Sequence, residues 1–171
     1  MRLSSFGAEM AAGGRILVLG TMPGVASLRA QRYYAHERNH FWPIMEAVTG
    51  LAPGSPYDER LAALRRAGIS LWDVLGSCVR PGSLDADITE AAANDFAALL
   101  REHPSIGWIF FNGAAAEALF LRHALPGLGR ADLTLRRLPS TSPAHARMDH
   151  AAKLAAWRGA FAAAGVAMTS S

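Results

Sequence analysis

The stretch that decides the fold of this 171-residue chain is RILVLGTMPG, residues 15–24. Its first half, Arg15–Leu19, is a short aliphatic run that Gly20 brings to an end. Such a run, bounded by glycines, is typical of a strand that is covered on both faces in a parallel sheet. The sequence therefore predicts an α/β protein in which this strand belongs to a buried sheet.

Strands and helices alternate along the rest of the chain. Further strands are predicted over residues 69–75, 105–111 and 133–138. Helices are predicted over residues 41–49, 58–67, 87–102, 114–123 and 149–164, the third of them opening at Asp87 with Glu90 as its reciprocal acidic residue. Parallel strands need long crossovers that cover the sheet. We therefore expect a single domain over residues 1–171, with three α/β/α layers and a four-stranded, mainly parallel central sheet.

The composition suits an ordinary globular domain, since 51% of the residues are hydrophobic and 18% are charged. Cys78 is the single cysteine; it cannot close an internal disulfide, and it lacks the Cys and His neighbours of a zinc site. The first dozen residues do not resemble a signal peptide, and no apolar run is long enough to span a membrane. We expect a monomeric protein of the bacterial cytoplasm, with no metal and no membrane contact.

The net charge of +3 conceals an uneven distribution. Residues 1–66 carry eight positive and five negative charges, residues 73–117 two and seven, and residues 122–158 seven and two. Sixteen of the seventeen cations are Arg, which suits bidentate phosphate contacts, but an alanine-rich composition that prefers Arg to Lys throughout explains the same bias. Charge alone leaves binding to a polyanion open.

The first loop excludes the common phosphate-binding motifs. Gly20–Gly24 has no third glycine at dinucleotide spacing, and no Gly-Lys-Ser or Gly-Lys-Thr follows it. The only lysine, Lys153, lies in the last predicted helix, and we expect it to be far from any strand end. A nucleotide triphosphatase is therefore excluded.

A polar and aromatic run, YYAHERNHFW at residues 33–42, stands between the first strand and the next predicted helix. A helix start explains it, with Asn39 as N-cap and Phe41 and Trp42 in the core. However, an N-cap needs one small polar residue, whereas this run offers four aromatic residues, two His and one Arg. Such a mixture can sandwich a planar ring and hold it by its edge, so both interpretations stay open.

Four segments together resemble the uracil-DNA glycosylase superfamily, most closely its hypoxanthine (deoxyinosine) DNA glycosylase branch. They are ILVLGTMPGVASLRAQRYYAHERNHFW, LWDVLGSCVRPGSLDADI, IFFNG and LPSTSPAHA, which begin at residues 16, 71, 109 and 138. The resemblance covers about residues 15–158. It implies a monofunctional hydrolase that flips a deaminated base out of DNA and hydrolyses its N-glycosidic bond, leaving an abasic site, without a metal or other cofactor.

The resemblance also implies which residue holds the attacking water. In most of the superfamily an Asp or Asn of the first loop does so, but the matching residue here is Met22, which cannot. In the hypoxanthine branch the role is attributed to the Asn of the Ala-His-x-Arg-Asn run, which is Asn39 here. Glu37 stands where that branch usually has Pro and leaves Asn39 in register.

The chemistry of the cleavage indicates a role for the other polar and aromatic groups of this first motif. Breaking the bond gives an oxocarbenium-like sugar and an anionic base, so donors aimed at the base and a water below the sugar contribute most. Asn39 would position the water through its carbonyl oxygen. The backbone of the Thr21–Gly24 loop, including Thr21 and Met22, would face the base, and Phe41 or a tyrosine of the Tyr33–Tyr34 pair would stack on it.

Asp73 ends the second predicted strand, where many relatives in the superfamily place an Asn that reads uracil. An ionised Asp73 would accept the N1–H of hypoxanthine and would repel the bare N1 acceptor of adenine. An Asp that caps the following loop explains the same residue, so its role stays open. We interpret Asn112, in an Asn-Gly pair, as a turn residue.

The last loop, residues 140–147, resembles the second motif of the superfamily, in which a serine grips a DNA phosphate and neighbouring residues wedge the duplex. A histidine electrophile is missing there, because the residue that is usually His or Asn is a serine. His145 is also explained as a surface histidine before a helix. The predicted DNA contacts of this loop are Ser140, Ser142, His145 and Arg147.

Gly20–Gly24, Asn39, Asp73 and Ser140–His145 should meet in one cleft, because ligands bind at the carboxyl ends of parallel strands. The predicted partner is DNA that contains a deaminated base. Within the enzyme class, the alternative is a glycosylase for uracil or G·U mismatches. Outside it, the alternative is a non-catalytic α/β domain that binds nucleic acid, an interpretation that Met22 favours and Asn39 disfavours.

Overall fold

The computed structural model describes residues 1–168 and contains two sheets. In chain order, the strands are β1 (Arg2–Ser4), β2 (Ile16–Gly20), β3 (Ile69–Asp73), β4 (Leu75–Val79), β5 (Thr89–Ala93), β6 (Trp108–Asn112) and β7 (Thr134–Leu138). The larger sheet is parallel with the order β3-β2-β6-β7, and the smaller sheet is antiparallel with the order β1-β4-β5. The segment quoted first, β2, is therefore a central strand of the parallel sheet, and all its residues are buried.

Helices cover both faces of the parallel sheet. They are α1 (Val25–Ala30), α2 (Phe41–Thr49), α3 (Tyr57–Arg66), α4 (Phe96–Glu102), α5 (Ala114–His123) and α6 (His150–Ala163). Alternate side chains of β2 point to opposite faces, so Ile16 and Val18 pack with α2, α3 and α6, whereas Leu17 and Leu19 pack with α4 and α5. The predicted three-layer α/β/α fold is confirmed. None of the helices in residues 1–168 is long and apolar enough to cross a membrane.

The predicted helix from Asp87 to Glu102 is wrong in its first half. Asp87 ends a short 3₁₀ turn, residues 89–93 form β5, and the helix α4 begins only at Phe96. The N-cap is Asp95, whose carboxylate accepts the N–H of Ala98 at 3.1 Å. β5 pairs antiparallel with β4, with two register irregularities, and this pairing outweighs the local capping pattern.

The remaining differences between the predicted and the observed secondary structure mainly concern where strands and helices begin and end. The predicted strand over residues 69–75 divides into β3, which joins the parallel sheet, and β4, which joins the antiparallel sheet. Helix α1, after the first loop, is not predicted by the sequence pattern. Strand β1 is not predicted either. The bounds of α2 and α5 agree with the prediction, and those of β2, β6, β7, α3 and α6 differ from it by at most three residues.

Candidate functional site

A cavity of about 580 Å³ lies at the carboxyl edge of the parallel sheet. Its lining includes Gly20–Gly24 after β2, Asp73 at the end of β3, Asn112 at the end of β6 and Ser140–His145 after β7. Asn39, from the loop before α2, completes it. The structure thus brings together in one cleft the four segments that the sequence analysis placed there, and the volume suits a small planar ligand.

The floor of the cavity is built from the buried Asp73, the hydroxyl end of the half-buried Tyr34, and a glycine. A Cβ atom at Gly20 would lie 2.6 Å from Asp73 Oδ1 and 2.8 Å from the Tyr34 hydroxyl. Only glycine therefore allows both side chains to approach the end of β2. Within residues 1–168, Asp73 Oδ2 and the Tyr34 hydroxyl are buried without a hydrogen-bond partner. Buried polar atoms without a partner are rare, so these two oxygens indicate a ligand with complementary polar atoms.

Tyr34 lines the cavity, together with Tyr33. The backbone of Tyr34 is left-handed, with φ of 54°, which is uncommon for a non-glycine residue. Its ring stacks on Phe41 with 3.9 Å between centroids. Phe41 itself is fully buried and does not line the cavity, so its predicted contact with a bound ring is wrong. Phe41 packs instead behind Tyr34, against Trp42 and Trp157.

Asp73 is the most strongly perturbed carboxyl group of the cavity. Burial first, and then the nearby Asp85, raise its pKa to about 7, against the opposing effect of Arg80. The hydroxyl pKa of Tyr34 is also raised, by burial first and then by Asp73, so Tyr34 stays a hydrogen-bond donor at neutral pH. The cavity floor therefore presents an acid that titrates near neutrality beside a fixed donor.

Asn39 contacts the start of α2 and also lines the cavity, so it fits both interpretations of this segment. Its side-chain Oδ1 accepts the N–H of Phe41 at 2.9 Å, which supports the start of α2, although the N-cap residue is His40. The same side chain lines the cavity and is half-buried. An amide oxygen has two lone pairs, so Oδ1 can accept a second hydrogen bond, from a water in the cavity. The helix contact and a role in water binding are therefore compatible.

The last loop is held by Thr141, which is fully buried. Asn112 donates to the Thr141 hydroxyl and accepts its N–H, both at 2.9 Å. Thr141 O accepts the N–H of His40 at 3.0 Å. Asn112, interpreted from sequence as a turn residue, thus also fixes the last loop against β6. Through Thr141, the same network fixes this loop to the segment that carries Asn39.

Of the four DNA contacts predicted in the last loop, three line the cavity and one lies outside its lining. Ser140 and Ser142 line the cavity, and their hydroxyl oxygens each accept a backbone N–H at 3.2 Å, which leaves the hydroxyl protons available to a ligand. His145 lines the cavity and is half-buried. Arg147 is exposed and lies outside the cavity lining, where it is accessible to a large ligand. Thr21 and Met22, from the first loop, are buried in the cavity wall.

One wall of the cavity comes from residues that the sequence analysis did not name as site residues. Ser83, Leu84 and Asp85, from the segment between β4 and β5, form it. The Ser83 hydroxyl accepts the N–H of Val25 at 2.9 Å, and the buried Arg80 donates to the carbonyls of Pro23 and Gly82. The antiparallel sheet therefore holds this wall against the first loop.

Lys153 also differs from the prediction. It was expected far from any strand end, but it is buried, and its Nζ donates to the carbonyl oxygen of Ser142 at 3.3 Å. The reason is that α6 packs across the last loop. In the part of the chain that the structure describes, no cluster of three or more His, Cys, Asp or Glu side chains has the arrangement of a metal site.

If Arg147 makes the DNA contact predicted for it, replacing it with Met should weaken DNA binding about equally for normal and damaged sequences. Phosphate contacts carry no base information, and each one contributes about 0.9 to the slope of log Kd against log salt. The slope should therefore fall by about that amount when affinity is titrated at several salt concentrations. The control is Arg101→Met. Arg101 is exposed at the end of α4, just before β6 begins, so it lies at the edge of the sheet opposite the cavity. An unchanged slope for Arg147→Met would remove this residue from the interface.

Comparisons with known proteins give the following matches. The family model of the Uracil DNA glycosylase superfamily matches residues 8–163. A hypoxanthine DNA glycosylase of Methanosarcina barkeri is 38% identical over 99 residues, which make up 57% of this chain and 63% of that protein. Another, from Methanosarcina acetivorans, is 35% identical over 133 residues, or 77% of this chain and 81% of that protein. The solution NMR structure of a candidate uracil DNA glycosylase from Methanosarcina acetivorans matches with a TM-score of 0.76 and 31% identity, covering 93% of this chain and 98% of that one.

Proposed function

Because the chain belongs to the uracil-DNA glycosylase superfamily, we propose that it is a monofunctional DNA N-glycosylase that releases hypoxanthine from deoxyinosine in DNA. The reaction flips the damaged nucleotide into the cavity, hydrolyses its N-glycosidic bond and leaves an abasic site. Both curated relatives are hypoxanthine DNA glycosylases, which supports this choice of base. The observation that carries it is the pair of unpartnered oxygens, Asp73 Oδ2 and the Tyr34 hydroxyl, on the cavity floor.

These two oxygens match the edge of hypoxanthine. Its N1–H is a donor and its O6 is an acceptor, so an ionised Asp73 would accept from N1 and the Tyr34 hydroxyl would donate to O6. Adenine presents an acceptor at N1 and a donor at N6, so an ionised Asp73 would face a second acceptor and the Tyr34 hydroxyl proton would have no acceptor on the base. Unpaired buried groups are costly, so this edge would discriminate the deaminated base from its parent.

In this proposal Asn39 places the nucleophile. A water that donates to Asn39 Oδ1 would lie at the margin of the cavity, below the sugar of a nucleotide whose base occupies the floor. No strong base is required, since the oxocarbenium-like sugar is itself a strong electrophile. The leaving base gains negative charge, and donors aimed at it, such as the Tyr34 hydroxyl and the Thr21–Met22 backbone, would stabilise that charge.

DNA binding in this proposal uses the rim of the cavity. The hydroxyl protons of Ser140 and Ser142 and the side chain of His145 would contact the phosphates beside the flipped nucleotide. Arg147 would add a more distant phosphate contact. The monomer expected from the sequence stays a prediction.

The rate of hypoxanthine release should rise with pH between 6 and 8, with a midpoint near the Asp73 pKa of about 7. Asp73 must be ionised to accept the N1–H, and it loses its charge as the pH falls through its pKa. At one pH unit below the pKa about one tenth of the molecules are ionised, so the single-turnover rate should fall about tenfold. A rate that is constant from pH 6 to 8 would exclude an ionised Asp73 from base recognition.

A comparison of three bases tests the proposed function. The protein is incubated with oligonucleotides that contain hypoxanthine, uracil or xanthine, in single- and double-stranded form, and abasic sites are measured by alkaline cleavage. We expect the fastest release from deoxyinosine. Faster release of uracil would make the protein a uracil glycosylase, since uracil N3–H can also donate to Asp73. Binding without release of any of the bases would make it a non-catalytic binding domain.

A further inference from the structure

Lys153, the chain's single lysine, is a buried cation without a counter-charge. Its side chain is 1% exposed, and none of the ion pairs among residues 1–168 includes it. An ammonium group has three N–H donors, and the described contacts use one, the 3.3 Å bond to the Ser142 carbonyl. Burial lowers its pKa, because desolvation opposes the charged form. Buried ammonium groups are normally paired with an anion.

Lys153 lines a second cavity, of about 450 Å³, directly beside the first. The two cavities share Asn39, Pro143 and His145. The second is rich in basic side chains, with Arg38, His40, His145 and Lys153 against one carboxylate, the exposed Glu37. In the described part of the chain, His40 Nδ1 is buried there without a partner. Two groups that lack partners therefore border the same cavity.

A purely structural role of Lys153 would explain its bond to the Ser142 carbonyl but not the unpartnered groups beside it. Lys153 connects α6 to the last loop, but Trp157, one turn later on α6, already does so with a neutral donor, bonding the Pro139 carbonyl at 2.9 Å. A backbone carbonyl does not require a buried charge. The spare donors of Lys153 and the unpartnered His40 are explained by an anionic ligand that accepts hydrogen bonds from both.

We propose that the second cavity binds a phosphodiester group of the damaged DNA strand, adjoining the flipped nucleotide, with Lys153 as its buried counter-charge. This inference rests on the proposed function. Asn39 borders both cavities, so a nucleotide with its base in the first cavity and its sugar at Asn39 has its own phosphate at the second. The phosphate would pair with the ammonium group and accept from His40, and the adjacent Ser142 hydroxyl would complete its surroundings.

Because the chain has one lysine, ζ-¹⁵N-lysine labelling gives a single side-chain NMR signal from the unmutated protein. The ligand is duplex DNA with a 2′-fluoro deoxyinosine analogue, which resists cleavage because fluorine destabilises an oxocarbenium-like sugar. We expect this DNA to shift the signal. A neutral methylphosphonate in place of one linkage next to the analogue should abolish the shift, and the same change five nucleotides away should not. A signal that responds equally to both duplexes, or only to inorganic phosphate, would overturn the proposal.

Affinity measurements give an independent test. Lys153→Met should reduce the slope of log Kd against log salt by about 0.9, the value for one phosphate contact. The adjoining methylphosphonate should weaken binding of the wild type by about tenfold or more, as for other charged hydrogen bonds, and should not weaken binding of Lys153→Met further. The control is Arg66→Met, which removes an exposed cation before β3, at the opposite edge of the sheet. A wild-type slope and full methylphosphonate sensitivity in Lys153→Met would make the lysine a structural connection only.

The base-release assay separates this inference from the proposed function. If the wild type releases no base but the lysine signal still depends on the adjoining phosphate charge, the phosphate site stands and the glycosylase proposal fails. If hypoxanthine is released while the signal is independent of that charge, the phosphate site is wrong and the glycosylase proposal stands.

Discussion

Asn39→Ala should lose most base release, with a single-turnover rate about 100-fold or more below that of the wild type. The amide is proposed to act on the attacking water in the transition state, so DNA affinity should change little. The variant should also lose about 1 kcal/mol of folding free energy, because Asn39 Oδ1 no longer accepts the Phe41 N–H at the start of α2. Thermal unfolding and single-turnover cleavage, measured on the same preparation, report the two effects separately.

Asp95→Ala is the matched control for the stability effect. Asp95 caps α4 through the N–H of Ala98 and does not line the cavity, so its loss should destabilise the fold by a similar amount with base release unchanged. If Asn39→Ala is destabilised but cleaves at the wild-type rate, Asn39 acts only as a helix cap. The water would then have to be held by another group of the cavity, with Asp73 and His145 the next candidates.

Asp73→Asn should reduce hypoxanthine release by about 10- to 100-fold, the effect of losing one hydrogen bond to a charged group. The amide carries no charge and can present its NH₂ group to the base, which would oppose the N1–H of hypoxanthine. The rise in rate between pH 6 and 8 should disappear as well, because the titrating carboxyl group has been removed. Release rates of hypoxanthine and uracil at pH 6, 7 and 8 measure both effects.

Asp87→Asn is the control for Asp73→Asn. Asp87 is an exposed carboxylate that does not line the cavity, and its loss changes the net charge by the same amount. Its rate and pH profile should equal those of the wild type. If Asp73→Asn keeps both the wild-type rate and its pH dependence, Asp73 has a structural role at the end of β3 and the base is recognised by other groups.

The elements that the sequence predicts well are those whose local signals agree with their tertiary surroundings. β2 is a short aliphatic run that is buried on both faces, and α2 and α5 have the predicted bounds. Residues 87–93 fail because their local pattern is that of a helix N-terminus, whereas β4 offers them a strand partner. That partner comes from the antiparallel sheet, which alternation along the chain does not reveal.

For the candidate site, as for the fold, the sequence predicts some parts and misses others. Strand ends locate Gly20, Asp73 and the last loop, because parallel strands all end at the same edge of the sheet. The sequence offered Phe41 and the Tyr33–Tyr34 pair as rings at the cavity. It could not show that the two tyrosines and not Phe41 line it, in a loop where Tyr34 is left-handed. It also could not show that α6 carries Lys153 under the last loop, since helix packing across a loop is a long-range contact.

The central claim is that this cavity hydrolyses the N-glycosidic bond of deoxyinosine, and one measurement tests it most directly. Excess wild-type protein is mixed with a duplex that contains one deoxyinosine, and both products are identified by mass spectrometry. The account predicts free hypoxanthine and an equal amount of an uncut strand that carries one abasic site. A strand that keeps its hypoxanthine after prolonged incubation, although the duplex is bound, would contradict it.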